Sequence, residues 1–83
     1  MTPAPEPFLR IKLTADGTAP FTVMFEPSGM TYDLDGGQHM LADVVDPFGI
    51  ELELANWRGG VSIWAPGRVI TRDADGAELD RLN

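Results

Sequence analysis

Val61-Ser62-Ile63-Trp64-Ala65-Pro66-Gly67-Arg68-Val69-Ile70-Thr71-Arg72 sets two short apolar, β-branched segments on either side of a Pro-Gly pair. Proline presets φ for the first turn position and glycine tolerates backbone conformations closed to other residues, so the pair predicts a tight turn and its flanks predict the two strands of a hairpin. Side chains alternate across a strand, so if Val61 and Ile63 point inward, Trp64 points outward, beside Arg68 across the turn. The alternative is that a second sheet or the N-terminal strand covers Trp64, because tryptophan is highly buried on average.

Moving outward from this segment, the same punctuation recurs. Asp16-Gly17, Pro27-Ser28-Gly29, Asp35-Gly36-Gly37, Asp46-Pro47-Phe48-Gly49, Arg58-Gly59-Gly60 and Asp75-Gly76 follow one another at about ten-residue spacing, with short apolar or alternating runs between them. Phe8 to Leu13 places Leu9, Ile11 and Leu13 on one face and Arg10 and Lys12 on the other. Phe21, Val23 and Phe25 turn inward, and Tyr32 aligns with Leu34. Gly49-Ile50-Glu51-Leu52-Glu53-Leu54 is the most regular alternation, and it predicts buried Ile50, Leu52 and Leu54 with Glu51 and Glu53 facing water. Gln38 to Asp46 fits neither period and reads as a bulged strand or a short helix. The β-branched Val44-Val45 pair and the stop at Pro47 favour strand. Ala77 to Asn83 forms a last strand or one helical turn. The beat as a whole predicts an all-β fold, a small single-domain β-sandwich or barrel of about six to eight short antiparallel strands. Residues 1–6, rich in proline, read as a flexible tail, and residues 7–83 as a single β domain.

The 83 residues are 43% hydrophobic and 23% charged, enough apolar material for one small core. Zero cysteines exclude a disulfide scaffold and thiolate metal sites, and a single histidine excludes a site built from several imidazoles. The N-terminal residues have neither a basic region nor an apolar run, and no stretch approaches a membrane span, which together predict a cytoplasmic protein. The net charge is −7, and it is unevenly laid down. Leu13 to Trp57 contains no Lys or Arg, yet it carries Asp16, Glu26, Asp33, Asp35, Asp43, Asp46, Glu51 and Glu53. Nucleic acids and anionic membranes are poor partners for such a chain, since nonspecific binding to phosphates depends on basic residues that displace counterions. Solubility alone accounts for an excess of this size. A negative surface also suits a basic protein partner, or an inhibitor that imitates a phosphate backbone.

Several constellations draw attention and then lose it. Asp33-Leu34-Asp35-Gly36 and Asp73-Ala74-Asp75-Gly76 look like fragments of a calcium-binding loop, but the positions that should supply the closing bidentate glutamate are Ala42 and Leu82. No metal is expected. His39 with Ser28 or Ser62 lacks the surroundings of a nucleophile, and the Glu51/Glu53 pair reads as a solvated strand face. No glycine-rich phosphate cradle precedes a helix, so no cofactor is expected, and the chain is not read as an enzyme.

What remains are the tryptophans. Trp57 and Trp64, bordered by acids and joined by Arg68, Met24 and Met40, form the candidate binding surface, because tryptophan and methionine concentrate at protein contacts. Phe25-Glu26-Pro27-Ser28-Gly29 with Tyr32, Leu34 and Gly37, then Pro47-Phe48-Gly49-Ile50-Glu51, then Val61 to Gly67, resembles a group of small uncharacterised bacterial acidic all-β proteins over residues 21–72. The resemblance implies the fold and carries no activity. The sequence thus predicts a non-enzymatic protein-interaction or accessory module. Its partner would be a protein, either a second copy in a homodimer or a basic chain. A carbohydrate-like small ligand stacked on the same indoles and a nucleic-acid-mimicking inhibitor are the alternatives.

Overall fold

A computed structural model describes residues 6–82. Apart from Glu6, the expected proline-rich tail lies outside the described residues. The chain forms eight strands: β1 Leu9–Thr14, β2 Phe21–Glu26, β3 Met30–Leu34, β4 His39–Val45, β5 Glu53–Trp57, β6 Gly60–Trp64, β7 Arg68–Arg72 and β8 Glu78–Leu82. Among the described residues there is no helix, and therefore none long and apolar enough to cross a membrane. Two four-stranded sheets, ordered β1-β4-β7-β8 and β3-β2-β6-β5, face each other without closing into a barrel. Every pairing is antiparallel except β2 with β6, which is parallel.

The core lies between the sheets. Val23 and Phe25 of β2, Val61 and Ile63 of β6 and Leu34 of β3 meet Met40 and Ala42 of β4 and Val69 of β7. The alternation read in β1, β2 and β3 therefore points the expected way. β4 explains its own lack of period, because it is central and buried on both sides. Met40, Ala42 and Val44 face inward, while Asp43 and Val45 are closed off on the outer face. The C-terminal run is a strand, as one of the two readings had it.

Two expectations fail, each for a physical reason. β6 and β7 do not form a hairpin, because they lie in different sheets. The Pro66-Gly67 pair instead carries the chain from one layer to the other, and Gly67 is needed for a close crossing: a Cβ there would stand 2.6 Å from the Val45 carbonyl oxygen and 3.1 Å from Pro47 Cα. The Phe48 N–H donates to the Pro66 carbonyl at 2.8 Å and pins the crossing. The second failure is the stretch from Ile50 to Leu54. The strand begins only at Glu53, every β5 residue is exposed, and Ile50 is 91% exposed in the connection before it. Only Leu52 packs against the core. Leu54, opposite the fully buried Ile63, is 53% exposed at the sheet edge.

A polar strut ties the two layers. The Tyr32 hydroxyl of β3 donates to Asp80 Oδ2 of β8 at 2.7 Å and lies 2.8 Å from the hydroxyl of Thr71 on β7, itself fully buried. Its ring meets Phe25 edge-on, with centroids 5.8 Å apart. Burial, above all, pushes the Tyr32 hydroxyl up to about 12, and the Asp80 carboxylate adds to the shift while Thr71 opposes it. A group whose folded pKa is raised stabilises the fold below its ordinary value of 10 and loses that contribution as pH rises towards 12. Tyr32→Phe is expected to cost about 1 kcal/mol at neutral pH, the net value of one such hydrogen bond. It should also flatten the fall in thermal stability between pH 10 and 12, a comparison readable by circular dichroism.

Candidate functional site

The register of the β3-β2-β6-β5 sheet determines which side chains share its outer face. Glu53 lies opposite Trp64, Ala55 opposite Ser62 and Trp57 opposite Gly60. Across the next pairing Glu26 aligns with Trp64, Met24 with Ser62 and Thr22 with Gly60. β3 adds Thr31 beside Met24 and Asp33 beside Thr22. Because Val61 and Ile63 face the core, this whole set faces solvent. Three rows cross the face: Asp33, Thr22, Gly60 and Trp57; then Thr31, Met24, Ser62 and Ala55; then Glu26, Trp64 and Glu53.

Both indoles therefore share one solvent-facing surface. Trp57 is 42% and Trp64 44% exposed. They stand at opposite ends of the β5–β6 hairpin, four residues apart along β6, about 13 Å at the usual rise per strand residue. Small residues floor the space between them. Trp57 lies down on Gly60, where a Cβ would come within 2.5 Å of the indole Cε2 and 2.7 Å of the Thr22 carbonyl oxygen. Gly60 thus serves as the seat of an indole. Trp64 sits between two carboxylates, one from each neighbouring strand, with Glu53 exposed and Glu26 half-buried. Thr22 donates to Asp33 at 2.7 Å and closes the other end of the face.

Three of the five expected surface residues, Trp57, Trp64 and Met24, come together here. The other two do not. Met40 is 2% exposed and belongs to the core, because β4 is the central strand and Met40 falls on its inner alternation. Arg68 begins β7 of the opposite sheet, where it is paired with Asp46, because the chain crosses layers where a hairpin was expected. What sequence reasoning missed is the flanking of Trp64 by Glu26 and Glu53. The signal existed only as charge, since the parallel β2–β6 pairing leaves no local trace in sequence.

The opposite outer face, on the β1-β4-β7-β8 sheet, has a different character. Arg10, Lys12, Arg68, Arg72 and Arg81 share it by register, five of the six basic residues of the chain. At its centre Asp43, 2% exposed, accepts from Arg10 Nε at 2.6 Å and Nη2 at 2.8 Å and from Arg72 Nε at 3.0 Å. The hydrogen bonds from Arg10, with the one from Arg72, hold the Asp43 carboxyl below the usual carboxylate range, against a burial that would raise it. Arg81 is bound to Glu78 through two hydrogen bonds of 3.0 Å.

The remaining constellations resolve into structure. Asp73 Oδ1 accepts from the Asp75 and Ala77 N–H groups, so its acid shapes a turn. An open cleft of about 460 Å³ lies between this turn and the β3–β4 connection, lined by Tyr32, His39, Asp73 and Asp75 among others. Among the described residues no group of three His, Asp or Glu side chains is placed to hold a metal. Ser28 lies in the β2–β3 turn, donating to the Phe25 carbonyl, at the opposite end of β3 from His39. Ser62 lies on the outer face of the sheet that does not contain His39. The chain matches no protein-family model, no curated protein and no solved structure.

Proposed function

We propose that the chain is a non-enzymatic protein-interaction module whose contact surface is the outer face of the β3-β2-β6-β5 sheet, and that its partner presents a basic, arginine-containing segment. One observation carries the reading: an exposed indole, Trp64, stands between Glu26 and Glu53 on a face that holds a second indole and a methionine. A guanidinium over an indole is attracted by the ring and by both carboxylates, while the low floor of Ser62 and Ala55 between the indoles admits an extended backbone. Indoles of this exposure are where interfaces concentrate their energy.

Titration with a synthetic peptide of alternating valine and arginine at low salt is expected to shift the tryptophan emission. Trp64→Ala should weaken the binding by about tenfold, the loss expected of a single hot-spot residue. Binding left unchanged by Trp64→Ala would overturn the reading. An emission shift produced by a panel of sugars and not by the peptide would overturn it in favour of a carbohydrate ligand.

A further inference from the structure

We infer that two copies of this chain associate through one open edge of the sandwich, β1 of each copy lying beside β5 of the other, so that both sheets continue across a twofold axis running along the strands. Tyr32 places the β3 edge of one sheet over β7 and β8 of the other. With the strand orders β1-β4-β7-β8 and β5-β6-β2-β3, the remaining edges, β1 and β5, lie together on the opposite side. Among the described residues no strand pairs with the outer edge of either. Among the described residues, six of the eight large exposed apolar side chains belong to these two strands or the segments leading into them: Phe8 and Leu9 at the start of β1, Leu54 and Trp57 on β5, and Phe48 and Ile50 in the connection before it. Free edges lined with apolar side chains are what proteins ordinarily blunt or pair.

Charge selects the occupant. The β1 edge carries Arg10 and Lys12 between Leu9, Ile11 and Leu13, whereas the β5 edge opens with Glu53 and Leu54 after a connection that adds Glu51, so one edge is basic and the other acidic. The faces agree as well. Arg10 and Lys12 lie on the outer side of their sheet, and Glu53 on the outer side of its own, while Leu9, Ile11 and Leu54 point to the inner sides. A twofold axis along the strands turns one sheet of the first copy into line with the other sheet of the second, so bases meet acids outside and leucines meet inside. A twofold axis perpendicular to the sheets would instead set β5 against β5 and β1 against β1, opposing like charges.

Strand direction fits too. β1 and β7 both run against β4, and β5 runs against β6, which reverses through Ala65-Gly67 into β7. β1 and β5 therefore run the same way, and the new pairing is parallel. Among the described residues Lys12 forms no ion pair, leaving its charge for the second copy. A symmetric contact of this kind closes on itself, as most homodimers do.

Sedimentation equilibrium without any peptide is expected to give twice the 9.0 kDa of one chain. Lys12→Glu and Glu53→Lys should each weaken the dimer by about tenfold, and the two substitutions in one chain should restore it. Trp64→Ala, on the inner strand β6, should leave the mass unchanged, which separates this edge from the indole face although Glu53 belongs to both. Circular dichroism checks that each variant folds, as all three positions are exposed. The mass of a single chain at about 0.5 mM, well above the weakest specific affinities, would overturn the inference. A double variant no tighter than either single one would overturn it as well.

Discussion

Asp43→Ala is expected to remove about 3 kcal/mol of folding free energy, the scale on which breaking a buried ion pair by deleting one partner acts. The carboxylate is almost wholly enclosed and receives three hydrogen bonds from two guanidinium groups. Arg10, half exposed, can turn to water when its partner is gone. Arg72 is held at 17% exposure and would lose its only ion pair, keeping the Gly76 carbonyl and the more distant Glu78 of β8. Urea unfolding followed by circular dichroism measures the loss. For a chain of this length the total is about 4–12 kcal/mol, so the variant should unfold at a much lower midpoint. The pH dependence follows from the same cluster. A carboxyl held below its usual range stabilises the fold above its unfolded pKa of about 4 and loses that contribution as pH falls through the lower folded value. The wild-type protein should therefore weaken on acidification below pH about 4, and Asp43→Ala should show a shallower decline over the same window.

Gly36→Ala is the second substitution expected to act strongly, and it has nothing to do with φ freedom. A Cβ at Gly36 would overlap the Gly17 carbonyl oxygen and stand 2.8 Å from its carbon and 2.9 Å from Thr18 Cα. All three obstacles are backbone atoms, so no rotamer change relieves them. The connection before β2 and the connection before β4 are laced here by two hydrogen bonds, Gly37 N–H to the Ala15 carbonyl at 2.8 Å and Ala15 N–H to the Gln38 carbonyl at 2.9 Å. Separating the loops forfeits both bonds and uncovers Ala15, which is buried in the core cluster. A cost of about 2–3 kcal/mol follows from the bonds and the strain together. Gly37→Ala, where φ is positive and space is open, serves as the comparison: it should cost about 1 kcal/mol and leave the loops joined. Amide exchange at Ala15 and Gly37 distinguishes the two cases.

Much of the fold was legible because it depends on local chemistry. Phe21, Val23 and Phe25 announce an inward face by alternation alone, and the glycine-bearing turns mark the strand ends. β4 was legible only through its end, where the β-branched Val44-Val45 pair and Pro47 favoured strand although the segment fitted neither period, and its burial on both sides came only with the fold. The failures come from facts that no short window contains. Pro66-Gly67 looks the same whether it turns within one sheet or crosses between two, and the choice was made by the distant backbone of Val45 and Pro47. Ile50 and Leu54 carry the pattern of buried residues, but Ile50 falls in the connection before the strand and Leu54 on an edge strand that the facing layer leaves half open. Of the candidate surface, Trp57 and Trp64 were readable from residue type, and Trp64 from parity. Glu26 became its neighbour only through a parallel pairing that joins residues far apart in sequence.

The manner in which β4 and β6 are inserted also constrains when this protein can fold. β2–β3, β5–β6 and β7–β8 close within a few residues of one another. β1–β4, β4–β7 and β2–β6 do not, and these are the joints that turn separate hairpins into sheets. A nascent chain leaving the ribosome thus presents β2 and β3 long before β6 arrives to flank them, and β4 must wait for Arg68 to Arg72. Such wide closures make for slow assembly. Completion therefore waits until β7 and β8 have both been synthesised.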